Sequence, residues 1–565
     1  MSIIRLNASN CQNCYKCIRE CPLKAIEFKD SKTKIIESEC VLCGVCMETC
    51  PKGAKYFRRN IDKVKNLLNT NKLVYVSLAP SYVGWYNEDF DQISAALKKL
   101  GFAGVEETAI GAACVSTEYA RLMENGQMKN IIATACSSVV MLIERHFPSL
   151  IKMLAPVSSP MMAHARLMRE VYGDIKVVFI GPCLSKMDEA QDPLAGGLVN
   201  EVLTFEDIDN WLSEENITIS EPDEVVVGVS KPIARIYPKQ EGLIKTIPTD
   251  SFHGYSPVSV DGIDRCIEFF NDMIESKSEG IFVEANICAG SCIGGPIMRM
   301  HKKSIINSTK NLSPNKQEID ETPAKSSLVD FCHPRVFANR STSDAMPTEE
   351  QIKDILFQIG KTTEEQELNC GSCGYQTCRQ KAIAVFQKKA DVNMCLPYLR
   401  ERAENMSSMV IENSPNGIIT FDENILVMEL NPKAEQIFNV KSSNIVGEII
   451  PAIYGSLSFE EAKEQRIPIE TKCTGHCEDV KVEMTVVYLE HNNMYIAFLK
   501  DISEAENNKE ELTKLRLSTV GLAQQVIDKQ MRVAQEIASL LGETTAETKV
   551  ALTNLKRSIN EISEG

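Results

Sequence analysis

The most informative residues of this 565-residue chain are its 21 cysteines, many of which recur at short and regular intervals. Near the start, the run C-x2-C-x2-C-x3-C-P occurs twice, ending at Pro22 and at Pro51. Thiolates at this spacing can bind cubane 4Fe–4S clusters, with three cysteines of a run on one cluster and the fourth on the other. The predicted ligands are Cys11, Cys14, Cys17 and Cys50 for the first cluster, and Cys40, Cys43, Cys46 and Cys21 for the second. Zinc is the alternative, but zinc sites usually take pairs of C-x2-C instead of such a run.

The doubled run is the pattern of bacterial ferredoxins, so residues 1–60 are predicted to form a ferredoxin-like two-cluster module that transfers electrons. The first residues show no apolar segment of the signal-peptide kind, and no stretch is long enough to span a membrane. We therefore expect a cytoplasmic protein whose thiols bind metal instead of forming disulfides. The net charge of −16 argues against nucleic acid and anionic membranes as partners.

Residues 70–345 show an α/β pattern, in which apolar runs typical of buried parallel strands alternate with helical stretches. The expected strands are 73–80, 129–137, 175–183, 224–230 and 280–288. Three of them end in cysteine, at Cys136, at Cys183, and at Cys288 with Cys292 close behind. Open α/β folds place their chemistry at the carboxyl ends of parallel strands. On the residues alone, these cysteines could equally be cluster ligands or buried core thiols.

Four motifs in this region resemble, in order, the strand-end motifs of iron-only (FeFe) hydrogenases: LAPSY at 78–82, TACSS at 134–138, GPCLSKMDE at 181–189 and ICAGSCIGGP at 287–296. The resemblance implies an H-cluster, which is a 4Fe–4S cluster joined to a diiron centre that carries CO, cyanide and a dithiolate amine. It implies that Lys186 hydrogen-bonds a cyanide and that Ala79, Pro80 and Ser81 line the diiron pocket. The implied ligands are Cys136, Cys183, Cys288 and Cys292, with Cys292 as the bridge to the diiron centre.

Several positions depart from this family pattern. Ala135 stands where the family has a cysteine that passes protons to the bridging amine, and alanine cannot carry a proton. Slow proton transfer is therefore expected, and Ala135→Cys is predicted to raise hydrogen turnover. Glu118 lies near the family's proton-path glutamates without a residue-by-residue match. The other departures are Ser137, Gly181, Asn286 and the pair Met161 and Met162.

Six further residues of metal-binding type match no motif. The cysteines among them are interpreted as core thiols and the histidines as ordinary polar residues, because none has a partner at metal-ligand spacing. They are Cys114, Cys266, Cys332, His164, His253 and His333.

Residues 346–400 follow a polar linker and are predicted to be a small 4Fe–4S domain. Its ligands would be Cys370, Cys373, Cys378 and Cys395, with zinc as the alternative. The stretch CGSCGYQTCRQKAIAV resembles the small iron–sulfur domain that follows the catalytic part of regulatory FeFe hydrogenases, which favours iron.

Residues 401–503 resemble a PAS domain, with a strand pair around Asp422, Asn431-Pro432 before an amphipathic helix, and a closing strand at 495–503. Cys473 and Cys477 are interpreted as loop residues, although zinc binding stays open. Residues 504–565 show apolar residues at heptad-like steps and are predicted to be a helical coiled coil that forms a homodimer. No histidine lies in this last segment, which excludes a phospho-accepting kinase helix there.

The order of these parts favours a hydrogen-sensing hydrogenase of multidomain α/β and α+β architecture. It would split H2 slowly and relay its redox state through three 4Fe–4S clusters to the PAS domain, which acts on a separate kinase or phosphatase. One alternative is a bidirectional hydrogenase that exchanges electrons with a ferredoxin-like partner. The other is a non-catalytic iron–sulfur scaffold without a diiron centre, against which Lys186 and the 79–81 loop argue.

Overall fold

The chain forms two compact units, Met1–Tyr398 and Leu399–Gly565. The computed structural model describes residues 2–71, 73–220, 233–276, 278–312, 332, 334–342, 345–450, 458–465, 467–474, 480–490, 492–541 and 545–561. The predicted strand 224–230 and His333 lie outside these residues. Within them, no helix has the length and apolar character that crossing a bilayer requires.

The N-terminal module is built from two similar halves, each with a short helix that contains the third of three closely spaced cysteines. The residue before each helix has a left-handed backbone, with φ of 55° at Tyr15 and 76° at Gly44. Strands β1 and β4 pair antiparallel, as do β2 and β3. The elements are β1 (Ile4–Leu6), α1 (Lys16–Arg19), β2 (Ile26–Lys29), β3 (Lys32–Ile35), α2 (Val45–Glu48) and β4 (Lys55–Phe57).

The central region contains two parallel sheets. The first has the strand order β6-β5-β8-β9 and the second the order β10-β11-β7. The strands are β5 (Val74–Leu78), β6 (Gly104–Glu107), β7 (Asn130–Ile132), β8 (Lys176–Gly181), β9 (Glu201–Thr204), β10 (Ser256–Asp261) and β11 (Ile281–Asn286). Strands β5 and β8 are almost wholly buried, which explains why their sequences are mostly apolar.

Helices cover these sheets and carry most of the connections. They are α3 (Ile61–Thr70), α4 (Phe90–Lys99), α5 (Ala109–Asn125), α6 (Ser137–His146), α7 (Pro160–Tyr172), α8 (Ser185–Glu189), α9 (Phe205–Glu214), α10 (Ile263–Ser276), α11 (Pro296–Met300) and α12 (Ile305–Asn311). Strand β7 is shorter than the predicted 129–137, because the chain leaves the sheet after Ile132 and Cys136 already occupies the N-cap position of α6. Parallel strands place their carboxyl ends on one edge, where a site can form.

The small domain at the end of the first unit consists of α13 (Glu349–Gln358) and α14 (Cys378–Phe386), followed by the start of α15 (Leu396–Glu412). Thr348 caps α13 through a reciprocal capping box with Gln351. Tyr375 and Met394 of this domain are buried in the same apolar core as the N-terminal module. The small domain is therefore packed firmly into the first unit.

The second unit holds an antiparallel sheet with the order β13-β12-β16-β15-β14, and its own core. The expected turn at Asp422 joins the first two strands, and Asn431 caps α16 by accepting a hydrogen bond from the amide of Ala434. The elements are β12 (Gly417–Phe421), β13 (Val427–Leu430), α16 (Pro432–Phe438), α17 (Ser442–Ile445), α18 (Ser458–Gln465), β14 (Ile469–Thr474), β15 (Lys481–Leu489), β16 (Met494–Asp501), α19 (Ser503–Leu541) and α20 (Thr545–Glu561). The side chains of Cys473 and Cys477 lie outside the described residues.

Candidate functional site

The strand-end cysteines of the central region meet around one cavity. Cys136 stands at the start of α6, Cys183 follows β8, and Cys288 and Cys292 follow β11, the latter in a 3-10 turn. Cys136, Cys183 and Cys292 line the cavity directly. Burial raises the pKa of the Cys288 thiol, and the nearby thiols of the other three raise it further. The four side chains predicted from separate strands are therefore brought together.

The cavity beside these thiols has a volume of about 110 Å³ and a mostly apolar lining. Apolar pockets with a few polar groups are the usual form of small-molecule sites. Every other residue predicted for this pocket lies on its wall: Ala79, Pro80, Ser81, Ala135 and Lys186. Sequence reasoning missed Thr108, Tyr237 and Glu284, which also line it.

Lys186 is held in place by a buried carboxylate. Its Nζ donates to Oε2 of Glu189 at 2.6 Å and to the carbonyl oxygen of Ala135 at 3.2 Å. Glu189 also accepts hydrogen bonds from Ser137 and Arg335, each at 2.6 Å. Burial alone would raise the pKa of Glu189, but the charges of Lys186 and Arg335 lower it to about 2. The lysine therefore faces a permanent anion, which holds its ammonium group at the cavity wall.

Glu284 supplies a titratable carboxyl group at the cavity wall. It is only 2% exposed, and this burial raises its pKa to about 7. Its Oε2 accepts a hydrogen bond from the amide of Ile244 at 2.9 Å. A carboxyl group with such a pKa can exchange a proton near neutral pH. Nothing in the sequence indicated this raised pKa, since the neighbours of Glu284 in β11, Val283 and Ala285, are apolar.

Two further cavities are each lined by four cysteines. The N-terminal one contains the predicted second-cluster set and the one in the small domain contains the predicted third-cluster set. These sets are Cys21, Cys40, Cys43 and Cys46, and Cys370, Cys373, Cys378 and Cys395. Backbone amides approach some of these sulfurs, as at Leu42, whose N–H donates to Cys40 at 3.4 Å. Four thiols around one space, with amide donors to sulfur, fit an iron–sulfur cluster.

The remaining predicted set is Cys11, Cys14, Cys17 and Cys50. Burial raises the pKa of Cys17, and the thiols of Cys11 and Cys50 lie close enough to raise it as well. Cys14 is exposed, so this set lies at the surface of the module. In the described part of the chain, no three His, Cys, Asp or Glu side chains are arranged to hold one metal ion.

The residues that matched no motif lie elsewhere. Cys114, Cys266 and Cys332 are buried in apolar cores, as predicted for structural thiols. Glu118 pairs with Arg121 through hydrogen bonds of 2.6 and 2.8 Å. His253 has a left-handed backbone at the end of a 3-10 turn.

Family models match four parts of the chain. Residues 72–296 match the model for the C-terminal domain of the iron only hydrogenase large subunit. Residues 3–63 match a 4Fe–4S dicluster domain, 366–397 an Fe–S cluster family, and 406–502 the PAS fold. These matches confirm the resemblance inferred from the motifs and the predicted fold class.

Solved structures with similarity to parts of the chain include FeFe hydrogenases and PAS domains. A variant of the FeFe-hydrogenase HydA1 from Chlamydomonas reinhardtii is 16% identical, with a TM-score of 0.41, and the match covers 50% of this chain and 100% of that one. A structure of HydA(deltaEFG), which concerns stepwise H-cluster assembly, is 17% identical with a TM-score of 0.40 and the same coverage. The PAS domain of an HTR-like protein from Haloarcula marismortui is 19% identical with a TM-score of 0.17, covering 19% of this chain and 97% of its own.

The family matches and the arrangement of the cysteines point the same way. The strand-end cysteines and their cavity lie within the region of the hydrogenase match, and the other cysteine-lined cavities lie within the regions of the two iron–sulfur matches. The chain therefore contains a 4Fe–4S dicluster domain, a PAS domain and the C-terminal domain that characterises the large chain of iron-only hydrogenases.

Proposed function

We propose that this protein is a hydrogen-sensing iron-only hydrogenase, which cleaves H2 slowly and passes the resulting redox change to its PAS domain. The observation that carries this proposal is the cavity beside Cys136, Cys183 and Cys292, with Lys186 and Ala135 on its wall. The thiols could hold the cubane part of an H-cluster, and the apolar space beside them fits a small diiron centre. Lysine at the wall suits an anionic cyanide, and alanine leaves the usual proton relay without its first group.

The proposed ligand roles follow the motif positions. Cys136, Cys183, Cys288 and Cys292 would hold the 4Fe–4S part of the H-cluster, with Cys292 as the bridge. Ala79, Pro80 and Ser81 would enclose the diiron centre, and Lys186 would hydrogen-bond one of its cyanides. The bound H-cluster would supply the site at which H2 gives two protons and two electrons.

The residues of this chain would then handle the protons. Glu284 has a pKa of about 7 and lines the cavity, so its carboxylate can accept a proton released there. Ala135 has no group that could do so. The Nζ of Lys186 donates to Glu189 at 2.6 Å, and this hydrogen bond holds the side chain in place. Slow turnover follows, because Ala135 leaves the first step of proton transfer without a side-chain group.

The electrons would leave through the cluster held by Cys40, Cys43, Cys46 and Cys21. Its loop lies against the hydrogenase region: a Cβ on Gly44 would be 2.5 Å from Cγ of Pro296 and 3.8 Å from Leu184, the residue after Cys183. Arg145 of the hydrogenase region donates to the carbonyl oxygens of Glu37 and Cys40. The second cluster therefore adjoins the hydrogen site.

The third cluster would pass the signal on. Its proposed ligand Cys395 is followed directly by α15, the helix that leads in sequence to the PAS strands. Helix α19 exposes apolar residues such as Leu512, Leu515 and Leu522, at 57%, 59% and 65%. Such a stripe favours pairing with a second copy, so we propose a homodimer that acts on a separate kinase or phosphatase.

The second candidate is a ferredoxin-linked hydrogenase whose turnover the PAS domain only adjusts. The exposure of Cys14 favours it, because a cluster at the surface can exchange electrons with a soluble ferredoxin-like partner. Turnover separates the two candidates: a thousandfold deficit relative to efficient enzymes corresponds to about 4 kcal/mol of barrier and would favour the sensor.

Infrared spectroscopy of the anaerobically matured, full-length protein tests the shared proposal. We expect CO and cyanide bands under argon that shift reversibly under H2. A protein with intact cubane clusters and no such bands would instead be an iron–sulfur scaffold. Lys186→Met serves as a matched variant, because it should shift the cyanide bands without removing any cluster ligand.

A further inference from the structure

Protons from the proposed cleavage of H2 need a route from the cavity to solvent. Ala135 removes the first group of the family's route. Thr108 lines the same cavity, directly follows β6 and is 4% exposed. Its hydroxyl group begins a continuous series of hydrogen bonds that leads away from the cavity.

The series contains four side chains with unbroken contacts. Oγ1 of Thr108 lies 2.8 Å from Oγ of Ser77, which lies 2.8 Å from Nδ1 of His164. Nε2 of His164 lies 3.1 Å from Oε2 of Glu106. All three distances are within hydrogen-bond range. Each group in the middle can both donate and accept, which is what stepwise proton transfer requires.

Solvent exposure differs between the middle of this series and its outer end. Ser77 and His164 are 0% exposed, so solvent does not interrupt the middle of it. The Glu106 side chain is 25% exposed, so its carboxylate can exchange protons with water. The pKa of Glu106 is lowered, because hydrogen bonds from His164 and Tyr172 outweigh the effect of burial. The outer end is therefore an anion at neutral pH that can take a proton from the imidazole.

The elements explain why these residues meet. Ser77 lies on β5 and Glu106 on the neighbouring β6, where the parallel register pairs them. His164 comes from α7, which packs on β5. A buried histidine between a serine and a carboxylate could also serve only to satisfy polar groups. What distinguishes this one is the continuation through Thr108 to the cavity wall.

We propose that Thr108, Ser77, His164 and Glu106 form the proton route between the cavity and solvent, an inference that rests on the proposed hydrogenase activity. Each H2 gives two protons and two electrons, and the electrons leave through the cysteine-bound clusters. A proton arriving at Oγ1 of Thr108 displaces that hydroxyl's own proton to Ser77, whose proton passes to Nδ1 of His164. The imidazole releases its Nε2 proton to Glu106, which gives it to water. Rotation of the hydroxyl groups and return of the neutral tautomer reset the series.

His164→Gln in the fully matured protein tests this route, because glutamine keeps polar contacts but has no titratable nitrogen. We expect the H2-dependent band shift to reach the same end point about a hundredfold more slowly, within the range that a positioned proton-transfer group contributes. Turnover should fall in parallel, and its solvent isotope effect should rise. Ser77→Ala is the second variant, and it should have the same effect if the glutamine variant does not fold.

His253→Gln is the matched control, because it makes the same substitution at an exposed histidine that lies outside the route. It should leave the band-shift rate close to that of the unaltered protein. The route would be overturned if the His164 and Ser77 variants, with complete clusters and CO and cyanide bands, responded to H2 as fast as the unaltered protein. Absence of those bands in the unaltered protein would instead refute the hydrogenase proposal, so the two failures are distinguishable.

Discussion

Single residues at the cavity wall decide how this site can handle protons. Lys186 and Glu284 are both ionisable and both line the cavity, but they differ in the groups that surround them. Lys186 donates to a carboxylate whose pKa is about 2, whereas burial raises the pKa of Glu284 to about 7. Lys186 is therefore held by a carboxylate anion, whereas Glu284 changes its charge in the physiological range.

Replacement of Glu284 by glutamine tests its role as the proton acceptor. Below pH 7 the carboxyl group is protonated and cannot accept a proton, and above pH 7 it is an anion and can. Hydrogen oxidation by the unaltered protein should therefore rise with pH through about 7. In Glu284→Gln, the rate should fall and this rise should disappear, with the infrared bands retained. A pH profile with the same midpoint in the variant would show that another group controls the rate.

At the scale of elements, the small domain is fastened to the N-terminal module through backbone contacts around Lys24. The Nζ of Lys24 donates to the carbonyl oxygens of Ile18, Arg19 and Gly374 at 3.1, 2.8 and 3.1 Å. Gly374 has φ of 92°, and a Cβ there would be 2.9 Å from Cγ2 of Ile18. Gly374 follows Cys373, and the amide of Lys24 donates to the carbonyl oxygen of Cys21 at 3.2 Å. One bonded path therefore joins the proposed ligands Cys21 and Cys373 of the second and third clusters.

Lys24→Met should interrupt this path while preserving the length of the side chain. We expect the magnetic interaction between the reduced second and third clusters to weaken in EPR spectra of the chemically reduced protein. Lys29→Met, at an exposed position of the same module, is the control and should leave the spectrum unchanged. Equal interaction in both variants, with complete cluster content, would place the electron path elsewhere.

At the scale of the whole molecule, the proposed signal must travel from the hydrogen site to the PAS unit. The proposed third cluster would lie at the end of the first unit, and its proposed ligand Cys395 immediately precedes α15. A change in cluster charge acts on the charges and dipoles near it, including the N-terminus of that helix. Loss of the third cluster should therefore separate hydrogen chemistry from signalling.

The double variant Cys370→Ser and Cys373→Ser tests this separation in the full-length protein. Its infrared bands should still shift under H2, because the H-cluster ligands are untouched. Hydrogen–deuterium exchange of residues 399–565 should differ between argon and H2 in the unaltered protein and should no longer differ in the variant. A difference that persists without the third cluster would mean that the signal reaches the PAS unit by another route.

Local spacing alone predicted which cysteines belong together in the N-terminal module and in the small domain. The set Cys40, Cys43 and Cys46 is brought together by a single turn of chain, so short-range geometry alone predicts it, and the return of Cys21 follows from the doubled run. The strand-end cysteines were assigned through motif resemblance, because spacing that wide carries little information by itself. The C-terminal helices followed from periodicity, which depends on neighbouring residues, whereas the PAS domain was assigned through resemblance.

The proton-handling residues depended on contacts between distant parts of the chain. His164 has no motif around it, and its role emerges only because folding places it beside Ser77 and Glu106, which are 87 and 58 positions away. Glu284 looked like one polar residue in an apolar strand until burial raised its pKa. Nothing in the sequence around Lys24 indicates its contact with Gly374 of the small domain. Burial, pKa and long-range hydrogen bonding are properties of the packed molecule, since they depend on which distant side chains exclude water from one another.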